Sequence, residues 1–390
     1  MSAAAALPMA ACSRRRAIVV GAGVFGAWTA THLQRQGWSV LLVDQMGPAN
    51  ARASSGGESR MTRGTYGRDE IYTRMALASL EEWKRLSQRA SLPLFHRIGV
   101  LFFFEQMIDY ARDSIEVHRR LELPLEQLDN ATLRQRWPQI DFTGVEFGLF
   151  EPEFGALMAR RAVQEAVARF VAGGGEYRLM HATPSEEPGV VFLDGERRMA
   201  SAIVYACGPW LPKLFPQVLD ERIFVTRQEV AFIAPPDGDD NFEAAHLPGW
   251  ADFNGGDLYY GFPNLEGRGF KIARDTHGAA FDPDAGDRRI SDEGAALLRA
   301  FAERRFPALA GRPFSEFRVC QYENSSNGDF LIDRHPSIVG AYLLGGGSGH
   351  GFKHGPEVGR MMAELVTHGT MPDARFSLAS KATVQAREVL

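Results

Sequence analysis

The feature that most constrains this chain is a short cassette near its start. Ala17 to Val20 is an apolar, β-branched run; Gly21-Ala22-Gly23-Val24-Phe25-Gly26 follows, and a helical pattern runs to about Gln36. A second apolar run, Val40 to Val43, ends at Asp44, 18 residues past Gly26. Strand, glycine turn, helix and strand in this order predict an α/β, Rossmann-type domain. Each part has a job. Gly21 permits the tight turn, Gly23 lets the backbone meet a pyrophosphate, and Gly26 lets helix and strand pack closely. The helix N-terminus, at Val24 and Phe25, faces negative charge, and Asp44 is spaced to accept hydrogen bonds from an adenosine ribose. A plain β-turn-α corner gives no reason for Asp44.

A length of 390 residues suggests more than one domain. The middle of the chain supplies a second, mainly antiparallel β (α+β) domain. Residues 93–104, 222–233, 257–262 and 269–273 are short, aromatic or β-branched, and separated by glycine, proline and asparagine turns. Between them Leu157 to Ala172 reads as an amphipathic helix closed by Gly173-Gly174-Gly175. Ala202 to Ala206 is a buried-type strand that returns to the first domain and ends at Cys207-Gly208-Pro209-Trp210, where Cys207, Gly208 and Trp210 are assigned to the cofactor. Residues 341–347 form another strand, and a helix runs from about Pro356 to Val366. The predicted organisation is a leader over 1–16, a discontinuous nucleotide domain over 17–90, 146–220 and 318–375, a substrate domain over 91–145 and 221–317, and a tail over 376–390.

Composition excludes several functions. Forty-three basic against 48 acidic residues leave a net charge of −5, which argues against a nucleic-acid partner. The longest uncharged run, Ala17 to Gln34, is interrupted by Gly21, Gly23, Gly26, Thr29, Thr31 and His32, so no membrane span is expected. The apolar residues at the start precede the arginines, the wrong polarity for a signal peptide. Cys12, Cys207 and Cys320 are too few and too far apart for a disulfide framework or a zinc site, so no metal is expected and a reducing, cytoplasmic setting is the default. The chain is expected to be a monomer or weak homo-oligomer.

Two further segments carry chemistry. Ser54-Ser55-Gly56-Gly57-Glu58-Ser59-Arg60-Met61-Thr62-Arg63 offers small polar groups for phosphate or ribityl oxygens, and Arg60 and Arg63 share a side if the stretch is helical. In Gly345 to Lys353 five of nine residues are glycine, a composition suited to peptide N–H groups approaching a flat ring.

Together, Gly21-x-Gly-x-x-Gly, Ser54-Ser55 with Arg60 and Arg63, Tyr260-Gly261-Phe262-Pro263 leading to Lys271, Cys320-Gln321-Tyr322, Asp329-Phe330-Leu331-Ile332-Asp333 and Ser348-Gly349-His350-Gly351-Phe352-Lys353 occur in one order over about residues 17–370. This set resembles the sarcosine oxidase-type branch of the D-amino-acid-oxidase-like FAD-dependent oxidoreductases, which includes monomeric sarcosine oxidase and N-methyltryptophan oxidase.

The resemblance implies FAD attached covalently through Cys320, as an 8α-S-cysteinyl link. Gly347, Gly349, His350, Gly351 and Lys353 would line the flavin, with Ser54, Ser55 and Arg60. Arg63 and Lys353 match the pair that clamps a substrate carboxylate, Lys271 matches the lysine that activates oxygen as a fixed cation, and Tyr260 and Tyr322 match tyrosines of the substrate cavity. The implied reaction is hydride transfer from a carboxylate-bearing, secondary amine or amino acid, as the neutral amine, to flavin; an imine and, with O2, H2O2 follow. A dehydrogenase with a non-oxygen acceptor and an oxidase of glycated, Amadori-type amino acids stay open as alternatives. A nicotinamide dehydrogenase would share the glycine cassette but would leave the Cys320 and Lys353 blocks without a purpose.

The chain also departs from that pattern. Where sarcosine oxidase has active-site histidines it has Gly56 and Asp275, and Glu323-Asn324 replaces a frequent threonine after Tyr322. The expectation is a roomier, more acidic substrate cavity, with Gly56 opening space and Glu323 or Asp275 meeting a larger amino acid. In the opposite reading both acids pair with Arg274 or Arg318 and touch no substrate.

Overall fold

A computed structural model describes residues 15–384. The leader before Arg15, with Cys12, and the tail beyond Val384 lie outside the described residues. The cassette forms as predicted: strand Arg16–Val20, helix Val24–Arg35 and strand Ser39–Asp44. These belong to a six-stranded sheet in the order Leu331–Arg334, Ala341–Gly345, Ala202–Tyr205, Arg16–Val20, Ser39–Asp44, Glu176–Leu179. All neighbours are parallel except the first pair. The central strands read as continuous apolar runs because both faces are covered. Helices Val24–Arg35, Glu70–Gln88, Ala159–Ala172 and Gly355–His368 pack on one face around Trp28, Trp83 and Phe170. A small antiparallel sheet, with Leu211, Phe215 and Leu219, covers the other.

Parallel register decides where chemistry can go. Val20 lies beside both Tyr205 and Val43, and Tyr205 beside Leu343. The residues at or just past the ends of these strands, Gly21, Asp44, Cys207 and Gly345, therefore lie at one edge of the sheet, the usual ligand crevice of such folds.

The second region is an eight-stranded sheet in the order Phe314–Ser325, Ile223–Ile233, Phe270–Asp275, Leu258–Phe262, Gly249–Asp252, Val100–Phe104, Phe147–Glu151, Glu126–Asp129. Every neighbouring pair is antiparallel except Gly249–Asp252 with Val100–Phe104. One face rests on helix Asp292–Arg305 through Trp250, Phe270, Phe301 and Phe306. Two predicted boundaries shift here. Phe147–Glu151, assigned to the nucleotide domain, pairs with Val100–Phe104, and Phe314–Ser325 crosses the expected boundary at 318 while staying paired with Ile223–Ile233 along its length. Both strands satisfy their backbone groups in the second sheet, and Phe314–Ser325 also meets the nucleotide side through Gln321, whose Nε2 donates to the Arg52 carbonyl and whose carbonyl accepts from Ser54 Oγ. Phe376 and Lys381, in the predicted tail, are buried. Among the described residues no helix is long and apolar enough to cross a membrane, and no cluster of His, Cys, Asp and Glu is fit to hold a metal.

Candidate active site

The crevice at the edge of the parallel sheet opens into a cavity of about 340 Å³. Its walls are Gly21, Gly23, Val24, Phe25, Asp44, Ser54 and Ser55 on one side and Cys207, Gly208, Trp210, Gly347, Gly349 and Gly351 on the other. Much of this wall is backbone, and the glycines are needed. Gly21 has φ +103°, and a β-carbon there would come within 2.3 Å of the Ala206 carbonyl oxygen. At Gly26 it would lie 1.8 Å from the Gly21 carbonyl oxygen, so Gly26 serves as the packing contact behind the wall. The Val24 amide donates to Ser55 Oγ at 3.1 Å, tying the helix start to the serine pair. Asp44 Oδ2 accepts from the Ala22 amide and Oδ1 from the Met46 and Gly47 amides, each at 2.8 Å, which fixes the carboxylate at the cavity rim. Cys207 Sγ faces the Val20 carbonyl at 3.5 Å, and burial pushes its thiol up.

A second cavity of about 90 Å³ adjoins the first, sharing Arg60, Cys320, Tyr322, Gly349 and Phe352. Its floor is one face of the eight-stranded sheet. The pairings Thr226 with Tyr322, Gln228 with Cys320, Val230 with Ala273 and Ala273 with Tyr260 put those residues in cross-strand rows. Strand alternation adds Asp275 and Leu258 to the same face, and Cys320, Tyr322, Gln228, Val230, Tyr260, Leu258 and Asp275 all line the cavity. The roof comes from the nucleotide side: Arg60 on strand Ser59–Thr62, Arg63 just after it, His350 and Lys353. Residues 59–62 are strand and not helix, because they pair with Gly155–Met158. Both guanidinium groups nevertheless reach the cavity.

At the seam, Arg60 Nη2 donates to the Ser54 carbonyl at 2.7 Å and lies 3.6 Å from Cys320 Sγ. Arg63 Nη1 donates to the Thr65 carbonyl and to the Tyr110 hydroxyl, and its guanidinium sits 4.1 Å from the Tyr66 ring centre. Burial opposes the charge of Arg63, but the Tyr110 and Tyr66 oxygens, with Glu151 and Asp275, outweigh it. Lys353 Nζ donates to Tyr66 Oη at 2.6 Å and to the His350 carbonyl at 2.9 Å. Tyr66 thus stands between the two cations. Tyr260 and Tyr322 hydroxyls are 3.5 Å apart; burial, with Asp275, pushes Tyr260 up to about 12 and Tyr322 upward as well, so both remain protonated donors.

Three of the expected groups lie away from the smaller cavity. Lys271 is buried and lines neither cavity: its Nζ donates to the Ser59 carbonyl at 2.8 Å, and burial, then Arg60, push it well below the usual lysine range. A fixed cation is not what those surroundings favour. Gly56 faces no cavity either; a β-carbon on it would lie 2.0 Å from the Asn50 carbonyl oxygen, so its small size serves the turn at Ser54–Gly56. Glu323 is next to Tyr322 on the strand and so points to the opposite face; it lines the larger cavity and not the substrate-sized one. Lys353, assigned to both the substrate carboxylate and the flavin, and His350, assigned to the flavin, line the smaller cavity. The arginines proposed to neutralise the acids are engaged elsewhere, Arg274 with Asp257 and Arg318 with Glu58 and Glu316.

Sequence reasoning missed Tyr66 and Tyr110. Tyr66, three residues after Arg63 in a polar loop, carried a local signal. Tyr110 did not: helix Asp109–Arg120 delivers it from a distant part of the chain.

A protein-family model described as FAD dependent oxidoreductase matches residues 16–365. The chain is similar to the monomeric sarcosine oxidase of Bacillus sp. (strain NS-129), 30% identical over 366 residues that span 90% of this chain and 92% of that protein. It is similar to the N-methyl-L-tryptophan oxidase of Salmonella arizonae, 28% identical over 362 residues covering 90% and 95% of the two chains. Among solved structures, L-proline dehydrogenase from P. horikoshii shares the fold with a TM-score of 0.81 at 19% identity, over 94% of this chain and 97% of that one.

Proposed function

The chain belongs to the FAD dependent oxidoreductase family, and from that membership we propose that it is an oxidase of a carboxylate-bearing amine or amino acid, with the flavin joined to Cys320. The residues of the larger cavity suit FAD. A helix N-terminus and Ser55 stand where a diphosphate needs donors, Asp44 is oriented by three amides toward a ribose, and glycines let a ring lie close to backbone. When bound, FAD supplies a two-electron acceptor for hydride from the carbon beside the amine nitrogen and passes those electrons on, in this proposal to O2.

The observation that carries the reading is the seam. Cys320 lies in the wall of both cavities, and beyond it Arg63 and Lys353 converge on one side of a space sized for a small molecule. Two desolvated cations select an anion, and Arg63 adds a planar fork suited to carboxylate. Tyr66 keeps them apart and supported until a substrate carboxylate offers a better acceptor. Tyr260 and Tyr322, held protonated, donate and do not act as bases, so the amine enters neutral and activity rises with pH through its pKa. The floor, with Phe102, Phe253, Leu258 and Val230, favours an apolar side chain, and Asp275 with Gln228 gives it a polar end. Lys271, whose Nζ donates to the Ser59 carbonyl, keeps its proposed role in oxygen chemistry, because negative charge arriving near Arg60 would favour its protonated form.

The test is a purified full chain, acid-precipitated and then assayed for peroxide with a panel of N-alkylated and primary amino acids. Yellow colour that stays with the precipitate, together with peroxide from a carboxylate-bearing amine, is expected. Absence of isoalloxazine absorption overturns the flavin reading, and amine turnover to a dye without peroxide overturns the oxidase one.

A further inference from the structure

Glu323 is the only acidic residue in the Cys320–Asn324 block, and the substrate cavity does not use it. It is 6% exposed. Its Oε1 has no hydrogen-bond partner among the described residues. That oxygen lies over the backbone of Gly345, where a β-carbon would come within 2.3 Å of it, so the absence of a side chain at 345 is what accommodates the carboxyl group. Glu323 lines the larger cavity together with Cys207, Trp210 and Gly347. A buried oxygen with unspent hydrogen-bonding capacity is costly, and in a residue that lines a cavity a turn of the carboxyl group can bring it to a ligand. An ionised carboxylate would instead repel the diphosphate and the electron-rich oxygens of a flavin dinucleotide.

We propose that Glu323 is a cofactor-binding residue that carries a proton and donates it, as a hydrogen bond, to an oxygen of bound FAD. The inference rests on the FAD reading above. Its surroundings agree with a neutral acid: burial pushes the carboxyl up to about 8, against the opposing pull of the Gly346 and Gly347 amides. The titratable neighbour is the Cys207 thiol, which burial, Asp44 and Glu323 itself all push upward, so it stays neutral. Val225, opposite Glu323 in the sheet, and Leu211, packed beside Gly345, carry no charge. A bound acceptor stabilises the protonated form further, so FAD affinity and protonation are linked.

The experiment uses the full-length Cys320→Ser chain, so that FAD binds reversibly, and reads the FAD dissociation constant by flavin fluorescence as pH is raised. Below about pH 8 the constant is expected to be flat, and above it to rise about tenfold per pH unit, one proton being coupled. Adding Glu323→Gln, which keeps a donor but cannot ionise, is expected to abolish the rise while keeping the low-pH affinity within a few-fold. The same rise in the Gln chain, or a flat profile in the parent, overturns the inference and leaves the FAD reading standing. If the Gln chain does not fold, the parent's profile alone decides. FAD taken up by neither chain at any pH overturns both readings.

Discussion

The two cavities that meet at Cys320 are built by different means. The larger is made mostly of backbone: Gly21 and Gly26 allow strand, helix and the strand end at Ala206 to touch, and Asp44 is held entirely by amides. The smaller is made mostly of side chains drawn from one sheet face and from the 60–63 and 349–353 segments. A backbone-built site ties its identity to a contiguous stretch of sequence. A side-chain-built site ties it to register between distant strands, where one residue's offset moves a group to the other face.

The difference predicts that the two can be damaged separately, and the largest effect should come from the smaller one. Arg63→Met removes a half-buried guanidinium while leaving the glycine cassette untouched. We expect kcat/KM for a carboxylate-bearing substrate to fall roughly a thousandfold, about 4 kcal/mol, as when one partner of a desolvated charge pair is deleted. Flavin content should be unchanged. Loss of flavin in parallel with activity, measured by visible absorbance per chain, would show that the cavities are one structural unit.

The same contrast explains what could be read in advance. The cassette, the return strand at Ala202–Tyr205 and the glycine loop before Gly355–His368 were legible because local periodicity and glycine placement determine them. Cys320, Tyr322 and Tyr260 were legible through resemblance, and the cross-strand rows then bring them together. What failed had long-range causes. Glu323 and Tyr322 are neighbours in sequence, yet the pleat sends them to different cavities. Gly56 looked like vacated space beside a ring, but its direction is set by the Ser54–Gly56 turn against Asn50, which no local pattern announces. This gives a second prediction of intermediate size. Gly56→Ala should leave substrate preference unchanged and cost about 2 to 3 kcal/mol of stability by overpacking, because the backbone carbonyl it meets cannot step aside cheaply. A denaturant titration gives the cost; a shift in substrate preference with full stability would restore the expected role.

The smallest predicted effect concerns what holds the side-chain-built cavity together. Helix Asp109–Arg120 presents Tyr110, Ser114 and His118 at four-residue intervals along one face, to the segment carrying Arg63. Tyr110 Oη donates to the Thr65 carbonyl at 2.9 Å, Ser114 Oγ accepts from the Gly67 amide at 2.8 Å, and His118 Nε2 lies 2.9 Å from Glu151 Oε1. That same carboxylate oxygen accepts from the Gly64 amide and the Thr65 hydroxyl. Burial lowers the His118 pKa, but the Glu151 hydrogen bond and charge outweigh it and the net direction is upward. A histidine whose folded pKa is raised gives stability that is complete below its unfolded value, near 6.5, and is lost as pH climbs through the folded value. Stability should therefore decline from about neutral pH upward, and His118→Gln should remove that slope while costing about 1.5 kcal/mol at low pH, as for a hydrogen bond to a charged group. Because the network orients Arg63 at one remove, KM should rise in the variant with kcat little changed. Among the described residues no hydrogen bond joins the wall of the backbone-built cavity to this helix, so flavin content should not follow; a variant that sheds flavin as it loses the slope would mean the nucleotide side depends on side-chain scaffolding too.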